Sequence, residues 1–414
     1  MNLCIQDPSY KDSMYLHESL LTACNKSVSG GGAYAFATKD GIELFLDDDS
    51  FKKMVNHGSF FLIVGMDDIT NFRALQALKQ MQEKYDGHLI VKVYIHDSKG
   101  STFHPKFSWF KTKQGGILVI GSGNLTQQGL RHNREAYSVI ECEDEEFQPV
   151  VDDWNAWVNH SKPFLFDVDD AVVLALAEKN SKKTKAIYKA KIEVDDDPEV
   201  TEGSVLSELF KTQPPNAYKK HVKKTSKSSK KKPKGTADSK HTVYSDDEIG
   251  VDELYWEIVS ESDILVAEIP RSGDRWKQVN FDKATFENYF GATCGENGEY
   301  RILLRNVKED GTLGETEVRP SVSVSSHNYR FELEAAAGID YPADGRRPLG
   351  IFAKVSPRDF LYEVVMPDGT GYNSLISALD SKAEASSRMR RLTYYCNEIQ
   401  KMAPELSIWK RLRK

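Results

Sequence analysis

Residues 59–65, Ser-Phe-Phe-Leu-Ile-Val-Gly, form an uninterrupted apolar run, and an amphipathic segment follows it directly. A strand without polar alternation is stable only where both of its faces are covered, so it belongs in a sheet with helices packed on it. The next segment supplies one such helix: Phe72, Leu75, Leu78 and Met81 recur at i, i+3 spacing over 70–85, with Thr70 as the expected N-cap. Further strands are expected at 33–38, 88–95, 103–110, 117–121 and 136–141, and a helix at 41–55 through Ile42, Leu44, Phe45, Phe51 and Val55. The alternation predicts an α/β domain over residues 1–165, a mixed sheet flanked by helices.

The rest of the chain has a different texture. Residues 166–245 read as an acidic helical connector followed by a lysine-rich linker, and from Leu254 short strands alternate with Gly, Pro, Asp and Asn turns. Residues 246–375 are therefore expected to be an all-β, barrel-like unit, and 376–414 a basic helical tail. With 414 residues carrying 19 Phe, 18 Tyr and 6 Trp, each part has the means to bury a core. The net charge of −7 is unevenly spread: residues 215–241 hold ten Lys and one Asp, about +9, which leaves about −16 elsewhere. The acidic runs Asp47-Asp48-Asp49 and Asp195-Asp196-Asp197 read as solvated surface. No apolar run nears the roughly 20 residues of a membrane span, and the first residues lack a signal-peptide pattern, so a cytoplasmic protein without membrane contact is expected. Five scattered cysteines, none in a C-x-x-C pair, indicate neither disulfides nor a zinc site.

The chemistry-bearing pattern is His104-Pro105-Lys106, then Gly121-Ser122-Gly123-Asn124, then Glu135. His-x-Lys alone means little, since it recurs at His160-Ser161-Lys162 and His221-Val222-Lys223. In the first instance the tripeptide lies near one expected strand, the Gly-Ser-Gly-Asn turn ends the next, and Glu135 enters a third. A neutral imidazole can attack phosphorus, while a lysine ammonium and an asparagine amide hold the non-bridging oxygens. Ser122 and the glycines let backbone approach the phosphate, and Glu135 is the candidate to fix the imidazole tautomer. There is no H-E-x-x-H, no His/Cys cluster and no pattern typical of a magnesium nuclease, so no metal site is expected.

This ordered set resembles the active-site signature of the phospholipase D superfamily. The usual motif has an aspartate five positions after the lysine, where this chain has Lys111. Members build one active site from two copies of the motif, and only one convincing copy is present. The resemblance thus implies a homodimer through the N-terminal domain, in which His104 attacks and His104 of the partner subunit protonates the leaving oxygen. It implies hydrolysis through a phosphohistidine, with no cofactor for that step.

In the C-terminal half, residues 268–278 carry Arg271, Ser272, Arg275, Trp276, Lys277 and Gln278, and a second polar cluster holds Ser325, His327, Asn328 and Arg330. Arg to guanine and Gln or Asn to adenine are the standard major-groove contacts, and Lys and Ser commonly hold phosphates. A β-unit after a phospholipase D-like nuclease domain resembles bacterial restriction endonucleases of the BfiI, NgoAVII and CglI kind, whose C-terminal DNA-binding pseudobarrel is related to those of plant transcription factors. The two clusters would be its arms. The resemblance implies double-stranded DNA as substrate, a cognate methyltransferase, and a helicase-like ATPase subunit through which alone ATP and Mg would enter. The rival readings are a phospholipase D-like phosphodiesterase acting on lipid and a catalytically inactive DNA-binding protein.

Overall fold

The computed structural model describes residues 2–195 and 255–413, apart from 11, 68, 97, 99, 272–275, 277, 293–299, 321–328 and 383–388. In chain order the first part runs β1 (Asn2–Gln6), α1 (Leu16–Asn25), β2 (Ser27–Tyr34), α2 (Lys39–Leu46), α3 (Asp49–Val55), β3 (Phe60–Gly65), α4 (Phe72–Lys84), β4 (Leu89–Tyr94), β5 (Lys106–Thr112), β6 (Gly115–Gly121), β7 (Glu135–Glu143), α5 (Asp144–Ser161), β8 (Leu165–Phe166) and α6 (Ala171–Asp195). The strands form one mixed sheet in the order β1-β7-β6-β5-β2-β3-β4-β8. Strands β2, β3 and β4 are parallel, and β5, β6 and β7 are an antiparallel meander. Within β3 the residues Phe60, Leu62, Ile63 and Val64 are fully buried, as a strand without polar alternation requires. One face of the sheet carries α1, α3 and α4, and the other carries α5 through Phe147 and Trp154.

Several local expectations are corrected. The expected helix over 41–55 is two, because the Asp48 side chain accepts from Ser50 N–H and caps α3. Asn71, not Thr70, caps α4, since the buried Thr70 hydroxyl accepts from Ala37 N–H at 3.1 Å. Strand β2 starts well before residue 33, through a Gly30-Gly31-Gly32 run that looks like a loop in sequence. The run is required by close approach: a Cβ on Gly31 would meet the Trp109 indole at 2.9 Å. The connector expected from 166 is part of the N-terminal core in its first turns, because Val168, Val173 and Ala177 are buried and Asn180 Nδ2 donates to Met66 O and Thr70 O, each at 2.8 Å.

The second part runs β9 (Asp263–Glu268), β10 (Gln278–Phe281), β11 (Arg301–Asn306), β12 (Glu317–Pro320), β13 (Tyr329–Glu332), β14 (Leu349–Ser356), β15 (Asp359–Val365), α7 (Tyr372–Lys382), β16 (Arg391–Tyr395) and α8 (Cys396–Met402). Six strands form a sheet in the order β12-β11-β15-β14-β9-β16, and β10 pairs with β13 in a separate ladder. Phe281, Phe286, Phe290, Phe331, Phe352 and Phe360 fill the space between them. Helices α7 and α8 pack on the sheet's other side with Trp256 and Trp409, at the end of and beyond the unit expected over 246–375. The tail expected to be helical contributes β16, an antiparallel partner of β9. Its Arg-Leu-Thr-Tyr-Tyr sequence suits a strand, and Tyr394 is buried while Tyr395 is exposed.

The two parts meet across buried charges. Arg301 donates to Asp48 through Nε at 2.8 Å and Nη2 at 3.0 Å, with both side chains at most 7% exposed, so Asp48 is not the solvated surface residue its acidic run suggested. Arg358 grips Glu18 through Nε at 3.0 Å and Nη2 at 2.9 Å and lies over the Tyr15 ring. Between them, His17 Nε2–H donates to Leu44 O at 2.8 Å, and Nδ1 accepts from Arg131 Nη1 at 3.2 Å. This arrangement needs the neutral ring, because a second ring proton would face a guanidinium. Burial, then Arg131, accordingly push the His17 pKa down to about 3. A folded-state pKa below the unfolded value means that the unfolded chain takes up the proton first as pH falls. Stability from this group is complete above about pH 6.5 and declines toward about pH 3, by at most about 1.4 kcal/mol per pH unit. Glu43, raised by burial to about 7, acts with the opposite sign, so a variant isolates the imidazole. His17→Gln, which keeps a donor and an acceptor, should flatten the loss of urea stability between pH 6 and 4; an unchanged slope would show that His17 is not excluding a proton.

Candidate active site

Strand polarity gathers the chemistry-bearing residues at one edge of the N-terminal sheet. β5 begins where β6 ends, with Phe107 opposite Ile120, and β7 begins beside that point, with Tyr137 opposite Gly121. Lys106 at the start of β5, Ser122 and Asn124 just after β6, and Glu135 at the start of β7 therefore share an edge with the C-terminal ends of β2, β3 and β4. The open edge of parallel strands is where α/β sheets hold ligands. His104 lies in the loop two residues before β5 and not on the strand expected from 103, since the ladder begins at Lys106; the Pro105 carbonyl accepts from Ala35 N–H at 2.8 Å. Its imidazole is exposed and stands edge-on to Phe36, ring centroids 6.2 Å apart.

Each neighbour is held by a stated contact. Phe36 N–H donates to Asn124 Oδ1 at 3.3 Å, which leaves the amide's donor side for a ligand and suits an anion. Lys106 Nζ donates to His104 O at 3.3 Å, tying the two motif residues together. Loss of water lowers the Lys106 pKa and Glu135 opposes that shift, so the ammonium and the carboxylate act on one another across the edge. Glu135 accepts from the Ser122 hydroxyl on Oε2 and from Asn133 Nδ2 on Oε1 at 3.0 Å; among the described residues His104 is not its partner. Sequence reading missed Asn133, although its place two residues before Glu135 was a usable signal. It also missed Gln6, whose buried amide donates to Gly129 O at 3.2 Å and Asn133 O at 2.9 Å and so braces the turn between Asn124 and Glu135.

The expected DNA-reading residues divide. Ser272, Arg275, Lys277, Ser325, His327 and Asn328 lie outside the described residues, as does the lysine-rich segment. Arg271 and Arg330 are exposed. Gln278 is partly committed, its Nε2 donating to Glu332 Oε1 at 2.7 Å. Trp276, which the sequence offers either as a ring stacked on the sugar-phosphate backbone or, the favoured reading, as a loop anchor, is the anchor: it is 5% exposed and its indole N–H donates to Ile339 O at 2.6 Å. A separate cleft of about 990 Å³ between the two parts is lined by Asp40, Glu43, Asp47, Asp49 and Glu315 together with Lys26, Lys53 and Arg301. Among the described residues no helix is long and apolar enough to cross a membrane.

No protein-family model matches the sequence, and no curated protein matches it. Among solved structures, the chain is similar to a phospholipase D family member, Nuc, from Salmonella typhimurium, at 15% identity over 40% of this chain and 95% of that one, with a TM-score of 0.29. It is similar to NucT from Helicobacter pylori at 12% identity over 40% of this chain and 97% of that one, with a TM-score of 0.28. It is also similar to the N-terminal domain of Helicobacter pylori LlaJI.R1 at 9% identity over 32% of this chain and 98% of that domain, with a TM-score of 0.23.

Proposed function

We propose that this chain is a site-specific, metal-independent DNA endonuclease of the phospholipase D superfamily, a restriction enzyme whose active site is shared across a homodimer. The observation that carries this reading is the convergence of His104, Lys106, Ser122, Asn124 and Glu135 on one open sheet edge, where a cation and an amide donor lie beside an exposed imidazole. The imidazole nitrogen of His104 attacks phosphorus as the bond to the leaving oxygen breaks, and that oxygen takes a proton from His104 of the partner subunit. The partner's imidazole, now neutral, accepts a proton from water while the water oxygen attacks the phosphohistidine and frees His104. Lys106 and Asn124 stabilise the charge that builds on the phosphoryl oxygens. Glu135, held by Ser122 and Asn133, is the carboxylate available to fix the imidazole tautomer when substrate closes the site, since such bonds often tighten only in the complex.

One chain supplies one such histidine, and the surface beside it is suited to a second copy. On the α5 face of the sheet, beyond the helix, Leu3, Ile5 and Ile120 are 70%, 66% and 46% exposed on the neighbouring strands β1 and β6, which flank β7. An isologous contact there would bury them next to both sites. DNA reading is assigned to the C-terminal part as a pseudobarrel. In the β10–β13 ladder Gln278 pairs with Glu332 and Phe281 with Tyr329, so the two strands begin at opposite ends of the ladder. A helicase-like ATPase and a methyltransferase belong to the same proposal as partners.

The test is incubation of the chain alone with plasmid DNA in excess EDTA, beside phosphatidylcholine vesicles. Nicking at fixed positions is expected, with no headgroup release. Cleavage that appears only after magnesium is restored would remove histidine from the nucleophile's role, and headgroup release without nicking would make lipid the substrate.

A further inference from the structure

Between Asn124 and Glu135 the chain makes a π-helical turn, Gln128–His132, and two of its side chains leave the site and enter the C-terminal sheet. Arg131 and His132 are 0% and 3% exposed, and both end on one fully buried carboxylate, Asp359 at the head of β15. Arg131 reaches Asp359 Oδ1 through Nε at 3.1 Å and Nη2 at 2.8 Å, and His132 Nε2–H donates to Oδ2 at 3.1 Å. Ser356 Oγ adds a donor at 2.8 Å, and the His132 ring stacks on Tyr255 with centroids 3.2 Å apart. Burial would raise the Asp359 pKa, but Arg131 and then His132 hold it well below the usual carboxylate range. A desolvated carboxylate with this many donors has one permitted geometry.

The turn is coupled to the site at both ends. A Cβ on Gly129 would meet Asn124 O at 2.5 Å and Asn124 N at 2.6 Å, so the turn packs directly on the asparagine's backbone. At the other end Asn133 Nδ2 holds Glu135. A shift of Arg131 and His132 must therefore move both the anion-holding amide and the carboxylate.

We propose that Asp359 is a positioning residue for the sheet-edge site: it latches the turn that carries Asn124 and Glu135, so the C-terminal part takes part in phosphodiester cleavage itself and not only in DNA binding. The proposal rests on the nuclease reading above. Its test uses the full chain with Asp359→Asn, which keeps size and removes charge. Single-turnover cleavage at saturating plasmid should slow at least tenfold while the dissociation constant for DNA stays within threefold, and amide hydrogen exchange across 124–135 should accelerate. Asp48→Asn, which breaks the interdomain pair with the Arg301 side chain but leaves the Arg301 carbonyl that accepts from Arg131 Nη2 at 3.0 Å, should keep the cleavage rate within twofold. If Asp359→Asn does not fold, His132→Phe keeps the ring stack and the Arg131 pair, and should slow cleavage at least threefold with the same change in exchange. Unchanged rate and exchange in the folded variant, or an equal loss in Asp48→Asn, overturns the latch. A parent chain that cleaves no DNA instead overturns the nuclease reading, and the exchange measurement then still decides the latch.

Discussion

His104→Ala should abolish cleavage, by at least about a thousandfold, while DNA affinity stays within about threefold, because the proposed function puts attack on phosphorus at His104 in the N-terminal part and DNA reading in the C-terminal part. A variant that still cleaves at more than about a hundredth of the parent rate would show that another group attacks phosphorus. The shared site adds a second, quantitative expectation. In a random equal mixture of parent and His104→Ala subunits, only dimers with two imidazoles turn over, so activity falls to about a quarter of the parent value and not to a half. Ile120→Asp places a charge on the exposed apolar face and should abolish cleavage by leaving a monomer with one imidazole, detectable by sedimentation. Half-activity in the mixture together with a monomeric parent would mean that each chain works alone.

Arg358→Ala should destabilise the chain by about 3–5 kcal/mol, the second large effect expected here. The guanidinium is 2% exposed; it donates to both oxygens of Glu18 and to Ser13 O at 2.6 Å, and lies 4.3 Å from the Tyr15 ring centroid and 4.6 Å from that of Tyr300. Its removal takes from a buried carboxylate its bidentate partner, leaving Glu18 Oε1 to Arg301 N–H at 3.1 Å and Arg131 Nη1 at 3.6 Å, and opens a cavity between the two parts. Arg134→Ala breaks an ion pair with Asp7 whose side chains are 43% and 32% exposed, and should cost no more than about 1 kcal/mol. Urea unfolding of both variants is the measurement. A loss below about 1 kcal/mol for Arg358→Ala would mean that the interface relaxes and hydrates. Because such pairs join the parts and the apolar core runs across them, the parent should unfold in one transition.

Only part of this site could be read along the chain. His104, Lys106, Ser122, Asn124 and Glu135 were legible because they fall within one antiparallel meander, whose short connections return each strand end to the same edge. The contacts of Glu135 were less so: the imidazole was its expected partner, whereas Ser122 and Asn133 hold it in the folded chain. Trp276 carried two meanings in sequence, aromatic reader or anchor, and burial against Ile339 and Tyr341 selects the anchor.

The sequence by itself determined the local matters: the buried strand at 59–65, the helix on its flank and the order of the chemistry-bearing residues, each set by periodicity or by residue type within a short span. Tertiary structure alone decided which charges matter structurally. Asp48 stands in an acidic run like any solvated one, and Arg131 and Asp359 are 228 positions apart, yet the fold strips water from all three. A charge acquires a large energy only when its surroundings lose their dielectric screening, and that loss belongs to the packed interface and to no stretch of sequence.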